Sequence, residues 1–120
     1  MARISRHQQR QEIGSLRRGD VCLAVQTGAA LVIQNDVGNQ FSPLTIVAAI
    51  TSKVSPEAFP VEVVVDPNRA SGLSERSAIR LDQIRTIDRR RVLRRLGAID
   101  ANSIRKVDEA IRISLGLIEI

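Results

Sequence analysis

The stretch that decides the fold runs from Val21 to Asp36 and reads VCLAVQTGAALVIQND. Two short apolar runs flank the pair Thr27-Gly28, and such a pair between two apolar runs is typical of a tight turn joining antiparallel strands. The second run leads into the polar cluster Gln34-Asn35-Asp36. The sequence therefore predicts a β-hairpin with a two-residue turn at Thr27-Gly28, followed at once by a polar cluster.

Apolar segments beyond the hairpin predict further strands. LTIVAAIT (44–51) is almost wholly apolar, so we expect a strand that is buried on both faces. VEVVVD (61–66) predicts a fourth strand, and SAIRLDQIRTID (77–88) alternates well enough to form one or two more. The segment VGNQFSP (37–43) contains Gly, Asn, Ser and Pro, which are typical of turns.

The last part of the chain has the pattern of a helix. Asp100 is a good N-cap residue, and Gly116 is a typical residue to end a helix. Between them, four apolar residues recur at the spacing of one helix face: Ile104, Val107, Ile111 and Leu115. Several short strands and one amphipathic C-terminal helix predict a mainly β fold with helices, in which the helices pack on a small β-barrel.

Length and composition indicate one domain with an N-terminal extension. A chain of 120 residues can bury a core, and with 43% hydrophobic but only 2% aromatic residues that core consists mainly of aliphatic side chains. Residues 1–16 are polar and basic and contain His7, the only histidine. We therefore expect a flexible basic arm over 1–16 and a single domain over 17–120.

The cysteine count and the apolar runs bear on the compartment. The single cysteine, Cys22, excludes an internal disulfide and a cysteine-rich metal site. The apolar runs are too short to cross a membrane, and the N-terminus lacks the apolar segment of a signal peptide. We therefore expect a cytoplasmic protein that does not bind a membrane.

The charge balance points to a polyanionic partner. The chain carries 18 lysines and arginines against 13 acids, for a net charge of +5, and only Lys53 and Lys106 are lysines. Arginine suits phosphate because its planar fork donates two parallel hydrogen bonds. Nucleic acid and an acidic protein both fit, as does a merely soluble basic surface. Five arginines within residues 89–95 allow either a solvated edge or a phosphate-binding stripe.

Several common mechanisms are excluded. The sequence has no His/Cys cluster for zinc, no Walker loop, no GxGxxG motif and no credible Ser-His-Asp triad, and one histidine cannot supply two-histidine ribonuclease chemistry. Catalysis would depend on electrostatic stabilisation by other polar side chains. Each polar candidate also has a structural interpretation: a turn at Asn35-Asp36, strand capping at Thr51-Ser52, and a hydrogen-bond network over 82–88.

Four segments carry a family resemblance. RRGDV, LVIQNDVGNQFSPLTIVAAITSK, LDQIRTIDRRR and KVDEAIRISLGL closely resemble the MazF/PemK family of toxins, in order and in spacing, over most of 17–118. The resemblance implies an SH3-like β-barrel of the CcdB/MazF/PemK type with a C-terminal amphipathic helix. It also implies a cytoplasmic homodimer that serves as the toxin of a bacterial toxin–antitoxin pair.

The resemblance further implies an activity and its partners. Most members cut single-stranded RNA at short sequence motifs without a metal or other cofactor. The 2′-hydroxyl attacks the adjacent phosphate and leaves a cyclic phosphate and a 5′-hydroxyl. A small acidic antitoxin covers the RNA groove, and toxin and antitoxin together often bind their own operator DNA.

The resemblance assigns roles to particular residues. Thr51 falls on the threonine that contacts and polarises the scissile phosphate, and Asn35 falls in the RNA groove. Ser52 is expected to contact RNA beside Thr51. Asp82 and Gln83 fall on an acid-glutamine pair that contacts bases or supports the groove. In the same block, QIRTID, two charged residues are expected to be structural: Arg85 and Asp88.

One departure from the family lies in the hairpin. Between its first two strands the family has a longer loop that carries a catalytic arginine and a glutamate, and both are missing here. Arg17 and Arg18, which precede the first strand, are candidates to bind phosphate in place of the lost arginine. The departure leaves an alternative open, a catalytically degenerate member that binds nucleic acid or antitoxin as a regulator. Gyrase poisoning of the CcdB type is a third function, but it relies on a Trp-Gly-Ile-type end that this chain lacks.

Overall fold

The computed structural model describes residues 15–57 and 59–119. Six strands occur along this part of the chain: β1 (Asp20–Ala24), β2 (Gly28–Val32), β3 (Leu44–Thr51), β4 (Glu62–Val65), β5 (Ser77–Asp88) and β6 (Val92–Ala98). The helices are α1 (Asp36–Phe41) and α2 (Ala101–Ser114), and a 3₁₀ turn (Arg89–Arg91) connects β5 to β6. The prediction of a mainly β fold with helices is confirmed.

All strand pairs are antiparallel and belong to one sheet. Its spatial order is β4-β5-β3-β2-β1-β6, so β4 and β6 lie at its two edges. No pairing joins these two edge strands within the described residues, so hydrogen bonds do not close the predicted barrel. In the same part of the chain no helix is long and apolar enough to cross a membrane.

Two apolar clusters occupy the two faces of the sheet. The larger one lies between the sheet and α2 and includes Leu31, Ile79 and Val107, all fully buried. The smaller one includes Cys22 and other buried side chains of β1, β2, β3 and β6. The centre of β3 contributes to both clusters, which confirms the prediction of a strand buried on both faces. Burial, together with the charge of Asp20, raises the pKa of the Cys22 thiol to about 11.

The C-terminal helix begins and ends where the sequence predicts. Asp100 caps its N-terminus by accepting a hydrogen bond from the backbone N–H of Ser103 at 2.7 Å. Gly116 takes the left-handed conformation, with φ of +73°, directly after the helix. Leu115 departs from the predicted apolar face, because it lies at the C-cap and is 60% exposed.

The hairpin turn differs from the prediction. Ala24 pairs with Gly28, so Gly28 is the first residue of β2 and three residues, 25–27, form the connection. Gln26 has φ of +67° and supplies the left-handed residue that this longer turn needs. The predicted two-residue turn at Thr27-Gly28 is therefore wrong, because the turn has three residues and ends at Thr27.

Two elements were not predicted. The expected turn over 37–43 is mostly the short helix α1, held by a buried network in which Asn39 donates to the Gln34 carbonyl and accepts from the Thr45 hydroxyl. These tertiary hydrogen bonds outweigh the low helix propensity of Gly and Asn. Strand β6 pairs with β1 through two register shifts, which break the two-residue alternation that would mark a strand.

Most of the predicted N-terminal arm, residues 1–14 with His7, lies outside the described residues. Leu16, at the predicted end of the arm, is only 5% exposed and belongs to the smaller apolar cluster. This part of the chain therefore contributes to the core from residue 16 onward.

Candidate functional site

Thr51 lies at the end of β3, beside the hairpin turn. Its direct partner on β5 is Ala78. On the other side, β2 and β3 pair Ala30 with Ala49, and extending that register by two residues places Gly28 opposite Thr51. The residue with the predicted catalytic role is therefore next to the turn that connects β1 and β2.

The Thr51 hydroxyl has one described hydrogen bond. Its oxygen accepts from the backbone N–H of Lys53 at 3.1 Å, which fits the expected capping role at a strand end. A hydroxyl has one hydrogen to donate and two lone pairs, so this bond leaves the hydrogen available. The partly exposed Thr51 can therefore donate to a phosphate oxygen while it keeps its structural bond.

Ser52 faces the other side of the sheet. It lines an open depression of about 310 Å³ together with Ile50, Glu75 and Leu96. Thr51 is not part of that lining, as expected for neighbouring residues of an extended chain, whose side chains point to opposite faces. The structure thus separates two adjacent residues that the sequence suggested would act together.

Asp82 and Gln83 lie in an irregular part of β5. Ala48 pairs with Ile84 but Ala49 pairs with Arg80, so the intervening residues of β5 bulge out of the ladder, and Asp82 and Gln83 are exposed. Asp82 accepts from Arg80 Nε at 2.9 Å and from Nη2 at 2.7 Å. These hydrogen bonds lower the pKa of the Asp82 carboxyl, so Asp82 is a poor proton acceptor near neutral pH.

Arg80 itself was not predicted as a site residue. It pairs with Ala49 on β3 and with Glu62 on β4, which puts it on the same face of the sheet as Thr51. The sequence does contain a signal, because Arg80 is a charged residue between the buried residues Ile79 and Leu81 of a strand. An alternating strand turns such a residue away from the core.

Asn35 does not lie near Thr51. Its side-chain oxygen caps α1 by accepting from the backbone N–H of Gly38 at 2.8 Å. The two preceding residues bond to the carbonyl of Ile46, five residues before Thr51 along β3. At about 3.3 Å per residue, that is a separation of about 16 Å along the strand.

We expect Asn35→Ala to lower the free energy of unfolding by about 1 kcal/mol, because the first turn of α1 loses its cap. We expect the rate of RNA cleavage to stay unchanged, since Asn35 lies far along β3 from Thr51. Urea unfolding and a cleavage assay check both statements. Asn102→Ala, which alters an exposed asparagine in α2, is the control. A selective loss of cleavage in Asn35→Ala would contradict this expectation and support the predicted RNA-groove role of Asn35.

Arg18 is held by three described contacts far from Thr51. Its backbone N–H donates to Asp36 at 2.7 Å, its Nε donates to the Ile33 carbonyl at 2.9 Å, and its Nη2 forms an ion pair with Asp108 at 2.7 Å. These contacts tie Arg18 to the end of β2 and to α2. A swing of the side chain towards Thr51 would break the two contacts made by the guanidinium group.

Arg17 also lies far from Thr51, as the position of the neighbouring backbone shows. Gly19 bonds to the carbonyl of Val32, whose partner on β3 is Val47, four residues before Thr51. That is about 13 Å along the strand direction, before the width of β2 is added. Arg17 and Arg18 therefore do not lie where the prediction needed them, as substitutes for the missing loop arginine.

A basic surface flanks the hairpin turn on the side of β6. The backbone N–H of Val25 donates to the carbonyl of Arg91, and the Arg91 side chain reaches Gln26 at 3.5 Å. Within the same run of arginines, Arg90 hydrogen-bonds Asp88 and holds the pKa of that carboxyl at about 2. The turn thus lies between Thr51 on one side and cationic side chains on the other.

No group of three or more His, Cys, Asp or Glu side chains is arranged to hold a metal ion in the ranges 15–57 and 59–119. The side chains nearest Thr51 in the register are instead a small residue, Ala78, and an arginine, Arg80. The Thr51 hydroxyl can bind a phosphate oxygen, whereas the Arg80 guanidinium is directed towards Glu62 on β4 and towards Asp82.

Comparison with known proteins shows the family of this chain. A family model described as PemK-like, MazF-like toxin of type II toxin–antitoxin system matches residues 23–115. The protein named Endoribonuclease EndoA of Bacillus subtilis (strain 168) is 44% identical over 114 residues, which cover 87% of this chain and 97% of that protein.

Solved structures have the same fold. The Mycobacterium tuberculosis toxin MazF-mt6 superposes with a TM-score of 0.73 at 25% identity and covers 83% of this chain and 99% of its own. A MazE-MazF structure from Deinococcus radiodurans gives 0.71 at 20% identity and covers 87% of this chain and 99% of its own. The SH3-like architecture expected from the sequence is therefore confirmed as a class, although the sheet is open.

Proposed function

This chain belongs to the PemK-like, MazF-like toxins of type II toxin–antitoxin systems, and from that premise we propose that it is an endoribonuclease that cuts single-stranded RNA. The observation that carries the proposal is the 44% identity to a named endoribonuclease over nearly the whole of both chains. The position of Thr51, partly exposed with a free hydroxyl hydrogen, supports it.

In the proposed reaction the substrate supplies the nucleophile. The 2′-hydroxyl gives its proton to water as its oxygen forms a bond to the adjacent phosphorus. The bond from phosphorus to the 5′-oxygen breaks, and the leaving oxygen takes a proton from water. Thr51 donates a hydrogen bond to a non-bridging phosphate oxygen and stabilises the charge that grows there. The reaction requires no metal and cuts at a short sequence motif.

The proposed partners follow from the family and from the charge. A toxin of a type II system has an antitoxin, and a net charge of +5 suits a small acidic one as well as RNA. We propose a cytoplasmic homodimer that also binds operator DNA together with its antitoxin. We further propose a basic N-terminal arm followed by the toxin domain, with the predicted boundary moved from residue 17 to residue 16 because Leu16 is buried; the family match lies within the toxin domain.

A catalytically degenerate regulator is the second candidate function. The observation that favours it is the three-residue connection between β1 and β2, which contains no arginine. Against it stands the 44% identical relative, which is named an endoribonuclease, so the comparisons do not favour this alternative. It predicts salt-sensitive RNA binding without cleavage.

The test is incubation of the purified full-length protein with a long single-stranded RNA in EDTA, followed by mapping of the new ends. We expect cuts at a recurring short motif. Intact RNA at micromolar protein, combined with binding that weakens as salt rises, would favour the regulator instead.

A further inference from the structure

An open depression lies at the end of β3, on the side of the sheet opposite the Thr51 side chain. Ser52 lines it, and extending the register of Thr51 and Ala78 by one residue places Ser77 across from Ser52. Consecutive Cα atoms are about 3.8 Å apart, so the depression begins one residue beyond Thr51. An RNA strand that passes over the end of β3 at Thr51 therefore reaches this depression next.

The lining of the depression combines apolar and polar side chains. Its volume is about 310 Å³, which is at the lower end of the range for small-molecule sites. The apolar lining includes Ile50, Leu73 and Leu96, and the polar lining includes Ser52, Ser74 and Glu75. Such a lining suits a small flat ring with polar groups on its edge, because the ring packs on the apolar side chains while the edge forms hydrogen bonds. A nucleobase has this form.

The loop between β4 and β5, which supplies part of this lining, is held firmly against β6. The backbone N–H of Ala98 donates to the carbonyl of Ala70 at 2.8 Å. Close by, the backbone of Gly72 touches β6 so tightly that a Cβ there would lie 2.3 Å from the carbonyl oxygen of Leu96. Because the loop is already ordered by these contacts, a ligand that binds in the depression loses little affinity to ordering it.

Glu75 is the acidic residue of this lining. Its backbone carbonyl accepts from the Ser77 hydroxyl at 2.8 Å, whereas its exposed carboxylate has no hydrogen bond or ion pair within residues 15–57 and 59–119. A carboxylate can only accept hydrogen bonds. Adenine, cytosine and guanine each offer it an exocyclic amino group. Uracil has no amino group, and its one N–H lies between two carbonyl oxygens that a carboxylate repels.

Resting on the ribonuclease function proposed above, we propose that this depression is a nucleobase subsite in which Glu75 selects adenine, cytosine or guanine over uracil close to the cut. The apolar side chains pack against the ring, and the Glu75 carboxylate accepts from the amino group. The scissile phosphate stays at Thr51, on the other side of the strand end. A base enters the subsite only if it turns out of its stack, as the bases of single-stranded RNA do.

Binding of RNA that cannot react tests this selection without cleavage. The probes are 2′-O-methylated oligonucleotides of adenosine, cytidine or uridine alone, and fluorescence anisotropy measures their affinity at fixed salt. We expect the wild type to bind the adenosine and cytidine probes about tenfold more tightly than the uridine probe. In Glu75→Gln this preference should fall below about twofold, because an amide both donates and accepts. Glu109→Gln, which alters an exposed acid of α2, is the matched control and should keep the tenfold preference.

A second variant fills the depression. Ser74→Phe places a ring where the base would lie, and thermal unfolding shows whether the variant is folded. We expect about tenfold weaker binding of the adenosine and cytidine probes and no preference over the uridine probe. Asn102→Phe, which adds the same ring at an exposed position of α2, should bind like the wild type. Equal binding of the three probes by the wild type would overturn the inference, as would a preference that survives Glu75→Gln or a folded Ser74→Phe.

The two proposals fail in different ways. A wild-type protein that never cleaves RNA refutes the ribonuclease function, yet the probes still decide whether the depression selects a base. If the wild type does cleave, we expect Glu75→Gln to accept uracil at one position of the motif where the wild type rejects it. A motif that Glu75→Gln leaves unchanged refutes only the subsite.

Discussion

Replacing Thr51 with alanine is expected to reduce the rate of RNA cleavage by about 10²- to 10³-fold. The variant loses the hydroxyl that we propose donates a hydrogen bond to the reacting phosphate. Stability should change little, because Thr51 is partly exposed and its described bond only caps a strand end. Single-turnover cleavage of a long RNA measures the rate, and urea unfolding measures the stability.

Thr86→Ala is the matched control for this variant. Thr86 is an exposed threonine of β5, and its partner Ile46 is five residues from Thr51 along β3. We expect its cleavage rate to equal that of the wild type. If Thr51→Ala and Thr86→Ala cleave equally fast, Thr51 does not contact the scissile phosphate.

Gly97→Ala is expected to lower the free energy of unfolding by about 3 kcal/mol. A Cβ at Gly97 would lie 2.2 Å from the carbonyl oxygen of Ala70 and 2.5 Å from the carbonyl carbon of Ser71. Both are backbone atoms, so they cannot turn aside as the end of a side chain can. The loop before β5 would have to move off β6.

Gly28→Ala is the control that separates the steric clash at Gly97 from the backbone strain of replacing a glycine. Nothing lies within 4 Å of a Cβ at Gly28, but its φ of +75° is unfavourable for alanine. We expect a loss of about 1 kcal/mol there, from backbone strain alone. Chemical denaturation measures the free energy of unfolding of both variants. Equal losses would mean that the loop before β5 moves to accommodate a Cβ at Gly97 at little cost.

The sequence predicted the elements whose signals are local. Strands β1 to β5 are short apolar runs between breakers, and Asp100 and Gly116 mark the ends of α2 through caps that act within a few residues. Helix α1 could not be predicted in this way. Its stability depends on Asn39, whose side chain accepts a hydrogen bond from the Thr45 hydroxyl six residues later. A hydrogen bond between side chains of this kind leaves no periodic pattern in the sequence.

Strand β6 and the site show the same limit. Register shifts against β1 interrupt the alternation of buried and exposed residues along β6. The arginines of this segment therefore indicated a charged surface and not a strand. Family resemblance identified Thr51, but the grouping around it depends on register. Ala78 of β5 lies opposite Thr51, while Ser52 turns away and Asn35 caps α1.

The central claim is that this chain cleaves RNA from the Thr51 site without a long loop between β1 and β2. The most direct test is the chemistry of the ends that the wild-type protein leaves on RNA in EDTA, read by mass spectrometry. We expect a 2′,3′-cyclic phosphate on one fragment and a 5′-hydroxyl on the other, both absent with Thr51→Ala. Fragments with 5′-phosphate ends, or cyclic phosphates that form equally fast with Thr51→Ala, would contradict it.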